Sequence, residues 1–386
     1  MHGRICKVFL TIIIFNAFNI RGEVLSLKNQ HLELKVDKIS ARWTLHTVQG
    51  LVDFPSDDNH ILTGPDINSF CIVRIDNVDK KFGSIEGKLT LVSSSANSVI
   101  HSWIINGIEI LQELSLTDSV FTTRPTFLKI KYWIKNKTKY KKKIGLKVLI
   151  DTFLSPNDDA PFIIPVIKDY ISTELNLKKS IPDFWAVWDE ISSPYSFAVM
   201  SFIDKDVVKP DSLAFASRKR LSENIWDFIP EPNKNYRPTP FEPQDGACSL
   251  TWEPILFRPD KENGIAFKFG LAEPSVSFIY PLELILLSPL TISNESLWVI
   301  GEIKNSDSVK SIKNIYIKLI LPSETEIING ASLEEKIQEL SPNTRRFFSW
   351  QIKSNKKGAK EFQCVVTGNY ASTVAVNRVT RTIKFK

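Results

Sequence analysis

Short runs of alternating apolar and polar residues dominate this chain and constrain its fold more than any other feature. These runs are rich in β-branched and aromatic residues and are bounded by turn residues; in the first third of the chain they are 25–27, 31–36, 69–75, 88–92, 98–104 and 127–134. A period of two residues is typical of strands with one buried face, whereas amphipathic helices repeat every 3.6 residues. The pattern therefore predicts an all-β fold of antiparallel strands.

One pair of residues predicts a specific turn. Asn106-Gly107 separates the apolar runs 103–105 and 108–111. Both central residues of a type I′ turn need positive φ, which Asn and Gly tolerate best. We therefore expect a two-residue β-hairpin at this point. Helical periodicity is nearly absent, and the single helix candidate is 332–340, with a loop between strands as the alternative.

The N-terminus has the order of a secretory leader. Arg4 and Lys7 precede the apolar run 8–15, and the chain turns polar at 19–23. The apolar run is too short for the roughly 20 residues that a membrane span needs. The pattern predicts a signal peptide over 1–22, with export to the periplasm or cell surface. It also predicts no transmembrane segment in the mature chain.

Charge and cysteine content exclude several classes of protein. The formal net charge of +6 falls to +3 when the three basic residues of the leader are removed, so no nucleic-acid partner is expected. The remaining cysteines, Cys71, Cys248 and Cys364, are widely spaced and odd in number. They fit neither a disulfide scaffold nor a zinc pattern, and leave either one bridge with a free thiol or three buried thiols.

The length and the spacing of strands predict two domains. We expect a large antiparallel β-sandwich over 23–284, similar in size to the supersandwich, and an Ig-like β-sandwich over 285–386. The strands of the smaller domain are predicted at 297–303, 312–321, 346–352, 359–367 and 380–385. Prolines concentrate between 155 and 259, where they predict long ordered loops over the large sandwich.

A set of motifs resembles those of an uncharacterised family of exported bacterial proteins. The matching segments are 55–59, 74–76, Trp103, 151–152, 157–162, 182–185 and 252–271. The family's motif is approximately DT-x-L-x-x-NDGAPF, and this chain carries Asp159 where the family has Gly. The resemblance covers about residues 25–275 and implies kinship without a mechanism.

Two further resemblances concern architecture. A large all-β domain resembles the supersandwich of galactose-mutarotase-like proteins, whose chemistry needs a His acid and a Glu base. All five histidines lie in the first 101 residues, and His31, His46 and His101 fall in strands, which favours structural roles. The segments 301–305, 316–322, 339–342 and Trp350 are similar to CARDB-type adhesion modules of bacterial surface proteins, which implies a spacer or interaction role.

An acidic turn follows the strand that ends at Asp151. Asn157, Asp158 and Asp159 come six to eight residues later, and 57–59 forms a second acidic loop. Carboxylate and amide oxygens are the ligands that Ca²⁺ prefers, although the spacing is not that of an EF-hand. The alternative is an Asx-turn with Asp151 at a strand end. No other metal or cofactor is predicted.

Aromatic residues accompany the proline-rich loops. Trp185, Trp188, Trp226 and Trp252, with Tyr236, lie in or beside them. Exposed aromatic rings can stack on the apolar face of a sugar, and this arrangement would make a glycan-binding surface. The alternative is that these rings close the cores of the loops.

Lysines concentrate between Lys129 and Lys147, where nine occur. They first alternate with Ile130, Tyr132 and Ile134, which predicts a strand with one buried and one charged face. The alternative is a contact surface for an anionic polymer of the cell envelope, whose binding would weaken with salt.

Known catalytic motifs such as a nucleophile elbow, a P-loop or a zinc-protease helix are absent from the sequence. We therefore predict an exported, non-enzymatic binding or structural protein whose partner is an envelope polysaccharide or a surface protein. Its recognition surface would be the loops after Asp151 and around 185–252. The alternative is a carbohydrate-active enzyme with paired carboxylates, Asp158 with Asp189 or Glu190.

Overall fold

The computed structural model describes most of the chain after the predicted leader. The described residues are 24–49, 51, 62–64, 67, 69–154, 160–167, 170–171, 173–188, 197–223, 226–236, 245–293, 296–328 and 332–386. Within them lie 28 strands and one short helix, α1 (Arg218–Glu223). All strand pairs are antiparallel except one, which confirms the predicted all-β, antiparallel fold.

The strands fall into five sheets. In the first part of the chain they are β1 (Val24–Lys28), β2 (Leu32–Asp37), β3 (Trp43–Thr47), β4 (Phe70–Ile75), β5 (Val78–Lys81), β6 (Lys88–Ser94), β7 (Ser98–Ile105), β8 (Ile108–Thr117), β9 (Phe127–Asn136), β10 (Lys142–Asp151), β11 (Phe162–Ile163), β12 (Tyr170–Ile171), β13 (Leu175–Leu177), β14 (Phe184–Trp188), β15 (Phe197–Ser201), β16 (Ser212–Ser217), β17 (Gly246–Phe257) and β18 (Glu262–Leu271). In the second part they are β19 (Ser275–Ile279), β20 (Leu282–Leu287), β21 (Thr291–Ile292), β22 (Ser296–Asn305), β23 (Ile312–Ile320), β24 (Thr325–Ile327), β25 (Glu334–Leu340), β26 (Arg345–Ser354), β27 (Gly358–Tyr370) and β28 (Thr373–Phe385).

The large sandwich is built from two long sheets. A six-stranded sheet has the order β13-β16-β17-β10-β4-β5, and a nine-stranded sheet has the order β12-β11-β14-β15-β18-β9-β8-β7-β6. The three-stranded sheet β1-β2-β3 contributes its apolar side chains to the same core. Each long sheet has an inner face toward this core and an outer face away from it.

Alternation along each strand decides which side chains enter the core. On β10, Leu146, Val148 and Ile150 belong to the main core, while Lys147 and Leu149 lie on the outer face of the six-stranded sheet. Successive side chains of a strand point to opposite faces, so the sequence pattern fixes this division. A second layer, α1 with residues near Phe228, covers part of that outer face.

The predicted hairpin is confirmed. β7 and β8 pair in register up to Ile105 and Ile108, and the two turn residues have positive φ, 50° at Asn106 and 75° at Gly107. Positive φ at both central positions is the requirement of a type I′ turn.

Replacement of Gly107 by Ala should therefore destabilise the protein by about 1–2 kcal/mol, because a Cβ is disfavoured in the left-handed region. That Cβ would also lie 2.7 Å from Thr138 Cγ2. Chemical denaturation of Gly107→Ala measures the loss. Asn106→Gly is the matched control and should stay within about 0.5 kcal/mol of the parent, since Gly adopts positive φ freely. Equal stability of Gly107→Ala and the parent would contradict the turn assignment.

The helix predicted at 332–340 is wrong. Residues Glu334–Leu340 form β25, which pairs with β23 at the edge of a five-stranded sheet. Glu, Lys and Gln favour helices locally, but pairing with a neighbouring strand overrides that preference. No helix in the described part of the chain is long and apolar enough to cross a membrane.

The last ten strands form two sheets of their own. These sheets have the orders β19-β20-β22-β26-β24 and β21-β28-β27-β23-β25, so β19 and β20 pair with strands of the second sandwich. The division into domains between residues 284 and 285 stays a prediction, and that position lies inside β20. The five strands predicted from the sequence for the second sandwich are all present, as β22, β23, β26, β27 and β28.

The two sandwiches share a buried interface. Phe347 of β26 contacts Tyr170 and Trp188, with ring centroids 6.4 and 5.5 Å apart, and Ser349 donates a hydrogen bond to Pro165 O. Beside them Arg345 Nη1 lies 2.8 Å from Glu302 Oε1, and burial raises the pKa of Glu302 to about 8. The second sandwich therefore covers the β11-β14-β15 end of the nine-stranded sheet.

Three polar side chains cross the core of the large sandwich in one row. His101, Gln112 and Tyr132 are paired neighbours on β7, β8 and β9, and Gln112 Nε2 donates to Tyr132 Oη at 3.0 Å. His101 is fully buried, and neither of its ring nitrogens has a hydrogen-bond partner among the described residues. The sequence predicted a structural His101; the structure places it in the core without the partner such a histidine usually has.

His101 should make stability depend on pH. Burial lowers the pKa of His101, and the charge of Asp37 opposes this only in part. Below about pH 6.5 the unfolded chain takes up a proton that the folded chain resists, so stability falls by up to about 1.4 kcal/mol per pH unit.

Denaturation of His101→Leu between pH 5 and 7 tests this, and the variant should lose most of the slope and gain stability at pH 5. Burial also lowers the pKa of His46, which adds a pH dependence of stability with the same sign. The variant His46→Gln and the double variant with His101→Leu are therefore measured in parallel. An unchanged slope in both His101→Leu and the double variant would rule out the assignment.

Candidate functional site

The predicted acidic turn begins at a buried ion pair. Asp151 at the end of β10 is 3% exposed, and its Oδ2 lies 3.5 Å from Arg218 Nε. The same guanidinium nitrogen lies 2.9 Å from Asp245 Oδ2. Gly64 N donates to Asp151 O at 2.8 Å, and Thr152 Oγ1 donates to Gly246 O at 2.9 Å. Asp151 thus joins three separate chain segments.

Most residues of the predicted calcium site fall outside the described part of the chain. Asn157, Asp158 and Asp159 lie outside the described residues, as do 57–59 and the acidic pair Asp189 and Glu190. Among the residues that the structure does describe, no group of three or more His, Cys, Asp or Glu side chains is placed to hold a metal ion. Asp151 itself carries an arginine counter-ion, which gives this carboxylate a structural role.

The four tryptophans predicted as a glycan-binding surface are core residues. Trp185 and Trp188 are 0% and 1% exposed, and Trp226 and Trp252 are 7% and 5% exposed. Stacking on a sugar needs an open aromatic face, and these faces are occupied by protein. The prediction of these rings as a stacking surface is therefore corrected to the alternative that they close the core.

Trp226 and Trp252 each have a packing partner. The guanidinium of Arg74 lies 4.5 Å from the ring centroid of Trp226. Trp252 stacks on Phe267 at 5.7 Å and donates its indole N–H to Val208 O at 3.1 Å. These contacts explain the burial in physical terms, since indole rings bury large areas and their N–H groups seek acceptors.

The three cysteines after the predicted leader are not bridged. Cys71, Cys248 and Cys364 are buried free thiols, so the alternative of three buried thiols is the correct one.

The lysines of β9 lie beside an acidic residue. Nζ of Lys129 and Nζ of Lys131 lie 2.6 and 3.6 Å from Asp206 Oδ2 on the charged face of β9. The alternation of lysines with buried residues on this strand is confirmed, and acidic neighbours balance these charges.

A different tryptophan is open to solvent. Trp133 of β9 is 38% exposed, which is the largest value among the nine tryptophans of the chain, all of which are described. Trp298 is half-buried, and the other seven are buried. It lies on the outer face of the nine-stranded sheet, because its neighbours Tyr132 and Ile134 point into the core. An exposed indole on a rigid sheet is a candidate binding group.

The sheet positions the Trp133 ring. Trp133 pairs with Leu111 of β8 on one side and Gly264 of β18 on the other. A Cβ on Gly264 would lie 2.9 Å from Cζ3 of Trp133, so the ring lies over the glycine. Lys131 Nζ lies 4.5 Å from the ring centroid. Glycine therefore makes room for the ring to lie along the sheet instead of standing away from it.

Polar groups surround this ring. A shallow depression of about 220 Å³ is lined by Trp133, Leu111, Ile134, Glu109, Lys135 and Glu262. Lys135 Nζ lies 3.9 Å from Glu262 Oε2, and Glu109 Oε2 lies 2.8 Å from Lys137 Nζ. We call Trp133, Leu111, Glu109, Lys135 and Glu262 the Trp133 face. It offers one aromatic surface together with hydrogen-bond donors and acceptors.

The sequence carries a local signal for this face. In the run 127–134, Trp133 has the same parity as Lys129, Lys131 and Lys135, which places it on the charged side of the strand. The alternation alone therefore predicts an aromatic ring on the outer face of β9.

Comparisons of sequence found no relative of this chain. No family model matches it, and no curated protein matches it. The resemblances to an exported bacterial family and to CARDB-type modules remain predictions.

Several solved structures are similar to the chain at low identity, each with a TM-score below 0.5. A galactose mutarotase-like protein from Lactobacillus casei is 10% identical and has a TM-score of 0.39, covering 64% of this chain and 100% of its own. A putative aldose 1-epimerase from Escherichia coli K12 is 9% identical with a TM-score of 0.34, covering 64% and 98%. A polysaccharide lyase is 9% identical with a TM-score of 0.36; it covers 94% of this chain, which spans 47% of the lyase.

Proposed function

We propose that this protein is a non-enzymatic glycan-binding protein that binds a neutral oligosaccharide on the Trp133 face. The observation that carries the proposal is Trp133, the most exposed tryptophan, whose ring lies over Gly264 on a rigid sheet. A site on strands holds its groups more precisely than a site on loops. The proposal moves the recognition surface from the loops predicted by sequence to the outer face of the nine-stranded sheet.

The chemistry of the Trp133 face suits a sugar. The apolar face of a pyranose ring stacks on an indole, which buries apolar surface at a low cost in side-chain entropy. Glu109 and Glu262 can accept hydrogen bonds from sugar hydroxyls, and Lys135 can donate them. Because Lys135 and Glu262 are already paired and Glu109 is paired with Lys137, the face carries little net charge. A neutral glycan is therefore favoured over a polyanion.

Thermal melts of residues 23–386 with a panel of neutral and anionic polysaccharides test this function. A ligand that binds only the native state stabilises it by RT ln(1 + [L]/Kd), so the melting temperature rises with the logarithm of the ligand concentration above Kd. We expect a rise with at least one neutral glycan and retention of that glycan in affinity electrophoresis. If no glycan of the panel raises the melting temperature or retards the protein in electrophoresis, the glycan-binding proposal is wrong. A structural or protein-partner role is then favoured.

A further inference from the structure

A second group of charges lies on the opposite side of the large sandwich. On the outer face of the six-stranded sheet, Lys81 Nζ lies 3.8 Å from the ring centroid of Phe70, and Arg42 Cζ lies 6.0 Å from the same centroid. Phe70 pairs with Leu149, two residues before Asp151. Cations attracted to one aromatic ring are thus gathered beside the Asp151–Arg218 pair.

These two cations have no acidic partner among the described residues. Neither Arg42 nor Lys81 forms an ion pair or a side-chain hydrogen bond with any residue in the described segments. Neighbouring cations on the same strands do: Lys80 Nζ lies 2.6 Å from Glu86 Oε1, and Arg74 Nε lies 2.6 Å from Asp79 Oδ1. The absence of a partner for Arg42 and Lys81 is therefore local to this position.

The surroundings of Lys81 also disfavour its charge. Burial lowers the pKa of Lys81 to about 8, and the charges of Arg42 and Arg218 act in the same direction. Both side chains and the Phe70 ring remain partly exposed, so a ligand can reach them. A partly desolvated cation without a counter-ion gains stability when an anion binds beside it.

The position of the two cations defines the anion. Arg42 and Lys81 both lie against the Phe70 ring, and neither has a carboxylate partner in the described segments. One anionic group beside the ring can contact both cations. A guanidinium presents two parallel N–H donors that match a planar carboxylate, and a lysine adds a point charge.

We propose that Arg42 and Lys81 form a subsite for a single carboxylate group of a ligand, as a uronic acid carries. Phe70 provides an apolar surface under the two cations. The subsite lies on the six-stranded sheet and the Trp133 face on the nine-stranded sheet, so the two sites are independent of one another.

Titrations of the full mature chain at low salt, followed by ligand-observed NMR, test this subsite with methyl glucuronide and methyl glucoside. The glucuronide should bind at least tenfold more tightly than the glucoside. Lys81→Met and Arg42→Met should each weaken glucuronide binding at least tenfold. Lys80→Met is the matched control: it removes the same charge from the neighbouring residue and should change the affinity less than twofold.

Two further measurements test whether the subsite selects a carboxylate and whether it is separate from the Trp133 face. Glucose 6-sulfate carries a tetrahedral monoanion, and it should bind more weakly than the glucuronide if the subsite selects a planar carboxylate. Trp133→Ala should leave glucuronide binding unchanged, which distinguishes this site from the proposed glycan site. No preference of the parent for glucuronide over glucoside, or equal losses in Lys81→Met and Lys80→Met, would overturn the proposal. Thermal melts of each variant confirm that it is folded.

Discussion

Replacement of Trp185 by Ala should lower the free energy of unfolding by about 3–5 kcal/mol, the usual cost of removing a large aromatic side chain from a core. Trp185 is fully buried, and its ring contacts Phe162, Phe215 and Phe269 with centroids 5.4, 5.4 and 6.4 Å away. These partners come from both sheets of the large sandwich. The cavity would therefore open at the centre of the structure, where neighbours cannot collapse to fill it.

Urea denaturation measures this loss, and two variants control it. Trp185→Phe keeps a ring and removes an indole N–H that has no partner among the described residues, so we expect a cost below about 2 kcal/mol. Tyr140→Ala removes an aromatic ring that is 73% exposed and should change stability by less than about 0.5 kcal/mol. A Trp185→Ala variant as stable as Tyr140→Ala would show that Trp185 is not a core residue.

Replacement of Trp133 by Ala should weaken glycan binding by about 10–100-fold, because central aromatic residues contribute on the order of 2 kcal/mol or more to binding sites. The same change should have a small effect on stability, since the ring is 38% exposed and lies on the outer face of the sheet. Trp185 and Trp133 are therefore expected to differ: loss of Trp185 should lower stability, and loss of Trp133 should lower the proposed glycan binding.

Calorimetric titration with the neutral glycan selected by the melts measures this effect. Trp133→Phe should retain part of the affinity, because a smaller ring still stacks. Tyr140→Ala is again the control, since it removes an exposed aromatic ring between β9 and β10 that is outside the Trp133 face. If Trp133→Ala and Tyr140→Ala bind the glycan equally well, the Trp133 face is not the binding site.

Strands and turns were predictable because their signals are local. The alternation in 127–134 identified β9 with its buried and charged faces, and Asn106-Gly107 identified the hairpin from two residues. Both depend on the geometry of one strand or one turn. The helix predicted at 332–340 was wrong for a non-local reason, because pairing with β23 determines the structure of that segment.

The sites were harder to predict because they depend on which segments meet. Nothing near Trp185 in sequence shows that Phe215 and Phe269 will enclose it, so a glycan-binding role was a reasonable expectation. Arg42 and Lys81 are separated by a long stretch of chain and meet only because β4 and β5 pair beside β3. Burial of a tryptophan and pairing of a charge are tertiary properties that a single sequence does not encode locally.

The placement of β19 and β20 also depends on pairing between strands. β19 pairs with β20, and β20 pairs with β22, which is a contact that no local pattern in 275–287 predicts. Phe347 then joins the two units through Trp188.

Oxidation of tryptophans by N-bromosuccinimide, with and without the bound neutral glycan, tests the central claim most directly. Trp133 is the most exposed of the nine tryptophans, so peptide mass spectrometry should find it oxidised first. The glycan should then slow oxidation of Trp133 at concentrations that match its Kd. Binding of the glycan without protection of Trp133 would contradict the proposed site.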